Sequence, residues 1–191
     1  GIVANLFAVR VLQAAGVRHE GDVILESTIS EEDGGSGALS AILRGYTADA
    51  ALISEPTDMK IVIAQGGSLM FRLQVHGRSA HACVRGEGVS AIEKFALLHD
   101  GLLKFESRRN EEIDHPQYDG LTIKAPINIG TIQGGTWHST VPEVVVAEGR
   151  AGLVPGETLE SFKSRFADVI HGIAQSDCCL AEHPPVVEWL D

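Results

Sequence analysis

Two adjacent glutamates, Glu31 and Glu32, are the residues of this sequence whose types and spacing best suit chemistry. They follow an apolar segment with the composition of a strand and precede a glycine turn, 34–35, that opens a predicted helix. Adjacent carboxylates repel each other, so the pair is costly unless a cation or a shared proton offsets the repulsion. One carboxylate could bind a metal ion while its neighbour takes a proton from a bound water. Glu55, which ends the next apolar segment, could supply a further ligand.

The same acidic doublet also has a simpler explanation. Glu31, Glu32 and Asp33 would form a solvent-exposed turn whose negative charge stabilises the N-terminus of the following helix. Spacing alone favours this explanation over a metal site, because a pair of acids is a weak motif. In either case the carboxylates follow directly on a predicted strand, and open α/β sheets bind their ligands at the carboxyl ends of their strands.

The elements that would position these carboxylates are helices alternating with apolar strands. Helices are predicted over 2–15 and 36–44, and strands over 22–29, 50–53 and 60–64. Fully apolar strands between helices are typical of a parallel sheet that is covered on both faces. We therefore expect residues 1–65 to be part of an α/β domain.

The pattern changes at Gly66 and Gly67, where a second domain is predicted to begin. Apolar and polar residues alternate over 69–76, as in a half-exposed strand. The sequence then predicts a helix over 88–105, a loop over 106–125, strands over 127–132 and 143–154, a helix over 158–174 and a last strand over 186–190. The order β-α-β-β-α-β is that of a ferredoxin-like sandwich, which we assign to residues 66–191.

Composition limits the partners and the compartment. The net charge is -11 and the basic residues are scattered, which argues against nucleic acid and anionic membrane surfaces because both require a clustered basic face. No apolar run approaches the roughly 18 residues that span a bilayer. The three cysteines form no CxxC pair, and their odd number fits a reducing compartment, so we expect a cytoplasmic protein. Cys83 is predicted to be a buried, unreactive thiol.

Four segments carry longer motifs, in order along the chain: Ser-Glu-Glu-Asp-Gly-Gly-Ser-Gly-Ala at 30–38, Ser-Glu-Pro-Thr at 54–57, Gly-Arg-Ser-Ala-His-Ala at 77–82 continuing to 92, and Gly-Gly at 134–135 continuing through Val-Pro-Glu to residue 150. Together they resemble the motifs of the acetylornithine deacetylase, succinyl-diaminopimelate desuccinylase and aminoacylase family of dinuclear zinc hydrolases. Four motifs in the family's order cover nearly the whole chain.

The resemblance implies roles for five residues. Glu31 would be the general base, Glu32 a ligand of one zinc ion, and Glu55 a ligand of the other. His81 would be the lid histidine that, in dimeric members, reaches the partner subunit's active site and polarises the scissile carbonyl. Arg150 would bind the substrate's carboxylate, a role that suits a planar guanidinium. Without the motifs, His81 as an exposed loop residue and Arg150 as a surface strand residue would need no such roles.

The function implied by the resemblance is hydrolysis of an N-acyl amino acid or a related amide. The active site would hold two zinc ions, and cobalt or manganese would also suit mixed histidine and carboxylate ligands. Residues 1–65 would be part of the catalytic domain, and residues 66–191 a lid that forms a homodimer. A metallopeptidase or carbamoylase of the same family is an alternative, as is a non-catalytic dimerisation or binding module.

The sequence also departs from the family pattern. It contains neither the His-x-Asp motif with its bridging Asp nor the downstream zinc-binding His, so we expect a fragment that is inactive alone and binds zinc weakly or not at all. Cys83 and Arg85 stand where Gly and Pro are usual, and Ser139 stands where Asn is common. These departures indicate a deacylase branch with its own acyl preference.

Overall fold

The structure, a computed structural model, describes residues 1–32, 34–63 and 65–190. The chain divides into two compact units, Gly1–Ile63 and Ala64–Asp191, which we call the N-terminal unit and the C-terminal unit. No helix among the described residues is long and apolar enough to cross a membrane.

The N-terminal unit contains two helices, α1 (Ile2–Ala14) and α2 (Ser36–Leu43). Both were predicted from the sequence, and both predictions are confirmed within one or two residues. Gly16, just beyond α1, has a φ of 71°, the left-handed conformation that glycine adopts readily after a helix.

The apolar segments of the N-terminal unit differ from their prediction. Segments 22–29, 50–53 and 60–63 form no strand, and Ala64, the last residue of the third segment, lies outside the described residues. Their apolar side chains face solvent: Leu52 is 80% exposed and Ile61 is 90% exposed. An apolar strand requires hydrogen-bonded neighbours and cover on both faces, and the described residues of this unit supply neither.

The C-terminal unit is built on a four-stranded sheet. Its strands, with two short ones that form a separate ribbon, are β1 (Ser68–His76), β2 (Ala80–His81), β3 (Ile127–Gly134), β4 (Thr140–Val141), β5 (Val144–Gly152) and β6 (Val186–Trp189). The order across the large sheet is β3-β5-β1-β6, and every pair in it is antiparallel. With α3 (Ala91–Glu112) before β3 and α4 (Leu159–Gln175) before β6, this is the predicted ferredoxin-like sandwich. The mixed α/β class of the chain is therefore confirmed.

The core of this unit lies between one face of the sheet and the two long helices. Alternate residues of β1 are buried, as the sequence pattern predicts. Phe71 of β1 meets Phe166 of α4 at a ring-centroid distance of 5.0 Å, and Leu98 of α3 is fully buried in the same cluster. Burying one such side chain contributes about 1.5–3 kcal/mol.

Helix α3 is longer than predicted, because it runs into the polar segment 106–125 that the sequence indicates as a loop. Arg109 continues the buried stripe of the helix. The side-chain oxygen of Asn110 accepts hydrogen bonds from the backbone N–H groups of Lys124 and Ala125 at 2.5 and 2.9 Å. Polar residues here stabilise the end of α3 and the segment at 124–125 that packs beside it. The polarity of these residues therefore wrongly predicted a loop where the helix continues.

Candidate functional site

The glutamate pair lies in the turn that leads into α2. Ser30 has a φ of 58°, and the N–H of Gly35 donates to its carbonyl at 2.8 Å, which closes the turn. Glu31 and Glu32 are exposed. Asp33, the third acid of the motif, lies outside the described residues.

The first turn of α2 also lies very close to the preceding chain. A Cβ atom at Gly37 would come within 2.2 Å of the carbonyl oxygen of Ile29. Only glycine fits this approach, so the glycine of the motif sets the path by which the chain enters the helix after the glutamates.

Glu55 lies in an exposed segment without regular structure, between two residues whose side chains form hydrogen bonds. The hydroxyl of Ser54 donates to the side-chain oxygen of Asn5 in α1 at 2.5 Å. The hydroxyl of Thr57 donates to the carbonyl of Lys60 at 2.6 Å. These two hydrogen bonds hold the segment on either side of Glu55, which is itself exposed.

These glutamates are chemically suitable metal ligands, but too few possible ligands lie together among the described residues to form a zinc site. Zinc takes four protein ligands, or three and a water. Across residues 1–32, 34–63 and 65–190, no three His, Cys, Asp or Glu side chains form a group that could hold a metal ion. Glu32 and Glu55 therefore do not complete a zinc site with the described residues, and the roles of Glu31, Glu32 and Glu55 stay predictions.

His81 lies on the ribbon of β2 and β4 and is exposed. Its Nδ1 accepts a hydrogen bond from the backbone N–H of Cys83 at 3.1 Å, which caps the 3-10 turn Ala82–Glu87. A nitrogen that accepts carries no proton, so this hydrogen bond assigns the proton of the neutral ring to Nε2. The thiol of Cys83 is exposed, so the prediction that it is buried is wrong.

Arg150 lies on the face of the sheet opposite the helices. It is exposed on β5, directly across from Asn128 of β3, and both side chains line a cleft of about 510 Å³. The Arg150 guanidinium forms no hydrogen bond or ion pair with any described residue, whereas Lys124, which lines the same cleft, donates to the carbonyl of Ile113 at 2.6 Å. Arg150 is thus a cation available to a ligand, and His81 does not line this cleft.

A part-buried ion pair that was not predicted from the sequence joins Lys94 of α3 and Asp177. Lys94 Nζ lies 2.7 Å from Asp177 Oδ2. This hydrogen bond lowers the pKa of the Asp177 carboxyl and raises the pKa of Lys94. Burial raises the pKa of the adjacent Cys179 thiol. Asp177 also caps the short helix α5 (Cys178–Glu182), and an acid directly before an apolar turn was the available sequence signal.

The fold and these residues define a ferredoxin-like lid with a solvent-facing histidine and arginine. Residues 63–178 match the family model for a peptidase dimerisation domain, M20_dimer. This match covers more than half of the chain, so the chain belongs to the M20 peptidase dimerisation-domain family.

Relatives that match along the whole chain belong to longer proteins. N-formyl-4-amino-5-aminomethyl-2-methylpyrimidine deformylase of Bacillus subtilis (strain 168) is 30% identical over an alignment of 199 residues, gaps included. The alignment covers 99% of this chain and 46% of the deformylase. A peptidase M20 domain-containing protein of Schizosaccharomyces pombe is 30% identical over an alignment of 194 residues, which covers all of this chain and 44% of that protein. The chain spans less than half the length of the curated relatives it matches.

Among solved structures, aminopeptidase PepT from Bacillus cereus ATCC 10987 shares the fold. The TM-score is 0.61 at 24% identity, with 98% of this chain and 46% of that chain covered. A tripeptidase from Staphylococcus aureus has a TM-score of 0.50 at 22% identity and covers 85% of this chain and 40% of its own.

Proposed function

We propose that this chain is part of a metal-dependent amidohydrolase that removes the acyl group from an N-acyl amino acid or a related amide. The observation that carries the proposal is the family match of the C-terminal unit, in a chain whose N-terminal unit holds the Glu31-Glu32 turn and Glu55. The deformylase of Bacillus subtilis named above supports a small acyl group. The more specific proposal of an acetylornithine-like substrate rests only on the sequence motifs.

In this proposal Glu31 performs the proton transfers. It takes a proton from the attacking water and passes it to the departing amine. Glu32 and Glu55 each offer one carboxylate to zinc, and residues outside this chain complete the site. When bound, zinc would polarise the carbonyl and acidify a water. Because Glu31 is exposed in its turn, it is accessible to a water and to an amide.

The C-terminal unit would recognise the substrate. Arg150 is a guanidinium without an ion pair among the described residues, in a cleft large enough for a small molecule. It would bind a substrate carboxylate through both oxygens. His81, with its proton on Nε2, would donate to the scissile carbonyl. Homodimer formation would bring this histidine to the partner subunit's active site.

Substitution of Glu31 tests this proposal in the longer protein that we propose contains the chain. Glu31→Gln keeps the shape of the side chain but removes the base, so it should abolish turnover while the zinc content stays nearly unchanged. Glu20→Gln, an exposed glutamate of the same unit, serves as the matched control and should retain activity. Near-normal hydrolysis by Glu31→Gln would reject the assignment.

Two alternatives are separated by direct measurements. A peptidase or carbamoylase would share the metal site and differ in substrate, so hydrolysis of matched N-formyl, N-acetyl, N-carbamoyl and dipeptide substrates distinguishes them. A non-catalytic dimerisation module is favoured by the lack of a three-ligand group among the described residues. It predicts that the longer protein binds no zinc and hydrolyses none of these substrates, although it forms dimers in solution.

A further inference from the structure

A tryptophan lies beside the histidine of the lid. The ring centroids of His81 and Trp137 are 6.0 Å apart and their planes are tilted by 59°. Trp137 is nevertheless 55% exposed. Leaving so much of a large ring in water sacrifices burial energy. The indole contacts two rings, that of His138, its neighbour in sequence, at a centroid distance of 5.3 Å, and that of His81, the residue with a proposed role in substrate binding.

The backbone holds these two residues in a fixed relation. His81 pairs with Thr140 in the ribbon of β2 and β4. The N–H of Thr140 donates to the carbonyl of Trp137 at 3.1 Å, and the N–H of Ala82 donates to the carbonyl of Ser139 at 2.9 Å. The turn that carries Trp137 is therefore closed by its own hydrogen bond, and the β2–β4 pairing and the Ala82–Ser139 hydrogen bond join it to the segment that carries His81.

The imidazole is constrained from two directions. The Cys83 N–H binds Nδ1 at 3.1 Å, and the indole of Trp137 lies against the ring. An exposed histidine without such contacts samples several rotamers and both neutral tautomers. With them, Nε2 keeps the proton, and Nε2 forms no hydrogen bond with any other residue that the structure describes.

We propose that Trp137 is a positioning residue for His81. The indole holds the imidazole in the rotamer that keeps the Cys83 hydrogen bond, and this bond in turn fixes the Nε2–H tautomer that can donate to a carbonyl oxygen. The proposal rests on the role of His81 in the proposed function. The contact uses the backbone N–H of Cys83 rather than its side chain.

The tautomer of His81 can be measured in the 191-residue chain by long-range ¹H–¹⁵N correlation spectra of the imidazole. At a pH well above the ordinary imidazole pKa of about 6.5, the wild-type ring should show one protonated nitrogen, Nε2, and one unprotonated nitrogen, Nδ1. Trp137→Ala should move both ¹⁵N shifts toward the tautomer average, and Trp137→Phe should restore the wild-type pattern. Cys83→Ala, which keeps the backbone N–H, is the control and should change neither shift.

Kinetics in the longer protein separate failure of this inference from failure of the proposed function. Trp137→Ala should lower kcat about tenfold or more through misplacement of His81, with little change in KM, and Trp137→Phe should recover most of kcat. Unchanged His81 shifts in Trp137→Ala, with the backbone spectrum of β1 and β5 intact, would overturn the positioning role. If instead the shifts change but His81→Ala itself keeps full activity, the proposed role of His81 fails while the positioning contact stands.

Discussion

Both units of this chain are rich in apolar residues, but these residues pack very differently in the two units. The C-terminal unit buries a continuous cluster that runs from Leu69 to Leu180 along the chain. In the N-terminal unit no described residue is buried, although apolar residues make up most of α1 and of the segments around Val23, Leu52 and Ile61. The difference lies in partners, because the C-terminal sheet pairs every strand and covers its apolar face with two helices.

This contrast shows that an apolar pattern alone does not determine whether a segment forms a buried element. Helices α1 and α2 form from local signals, whereas a strand exists only where a neighbouring strand pairs with it. The candidate carboxylates lie in the unit without a buried core, and the candidate lid residues lie in the unit with one. We therefore expect the two halves of the proposed site to respond very differently to perturbation.

Hydrogen exchange should show the largest difference. Backbone amides of β1 and β5 are buried in a cooperative sheet and should exchange only on global opening, which costs about 5 kcal/mol or more. Amides of 22–29 and 50–53 in the same chain should exchange roughly a thousandfold faster or more. Mass spectrometry of peptic fragments after timed exchange measures both. Equal protection in the two units would break the comparison.

The buried arginine of the C-terminal unit should give the largest effect of a single substitution. Arg109 is 2% exposed, forms an ion pair with Glu157, donates to the carbonyl of Gly152 at 2.8 Å and packs on the Phe162 ring. Arg109→Ala would leave a carboxylate without its partner, so it should lower the free energy of unfolding by about 3–5 kcal/mol. Arg108→Ala, its exposed neighbour, should change it by less than about 0.5 kcal/mol. Urea unfolding of both variants provides the test.

A matched pair of leucines compares the units directly. Leu98 of α3 is fully buried, whereas Leu52 is 80% exposed. Leu98→Ala should cost about 2–5 kcal/mol through lost burial and a cavity, and Leu52→Ala should stay within about 0.5 kcal/mol. Thermal unfolding followed by circular dichroism measures both, and a comparable loss for Leu52→Ala would show that the N-terminal unit has a core of its own.

The ion pair between Lys94 and Asp177 should give the smallest effect, with a defined pH dependence. The pKa of Asp177 lies below its ordinary value of 3.8, so its contribution is complete above that pH and is lost as the pH falls through the lowered pKa. The pKa of Lys94 lies above 10.5, so its contribution is lost only as the pH rises through that higher value. Asp177→Asn, which keeps the capping oxygen, should lower stability at neutral pH by about 1–3 kcal/mol. The difference from wild type should shrink in acid, and a constant difference down to the acid limit would contradict this account.

The sequence predicted most of the C-terminal fold because its signals are local and consistent. Alternation in β1 and the amphipathic pattern of α4 required no knowledge of distant contacts. The end of α3 was missed because Asn110 and Arg109 bond to chain far ahead in sequence, at Ala125 and Glu157. The strands around Val23 and Leu52 were predicted from composition, which cannot supply pairing partners.

The candidate site followed from motifs rather than from periodicity. Glu31, Glu32, Glu55, His81 and Arg150 were named from the sequence, and the structure adds the surroundings of each. The Trp137 contact with His81 could not be predicted, because it depends on the pairing of β2 and β4. These strands are only two residues long, and the polar and glycine-rich residues around them give no strand pattern. Local sequence patterns carry no information on such a register.

The zinc content of the longer protein tests the central claim most directly, since the claim is that Glu32 and Glu55 bind metal while Glu31 does not. We expect each of Glu32→Gln and Glu55→Gln to lose about one zinc ion of the pair on dialysis, and Glu31→Gln to lose none, because only ligands hold the metal. Equal zinc in all three variants and the wild type would contradict the account and leave only the architecture of the lid.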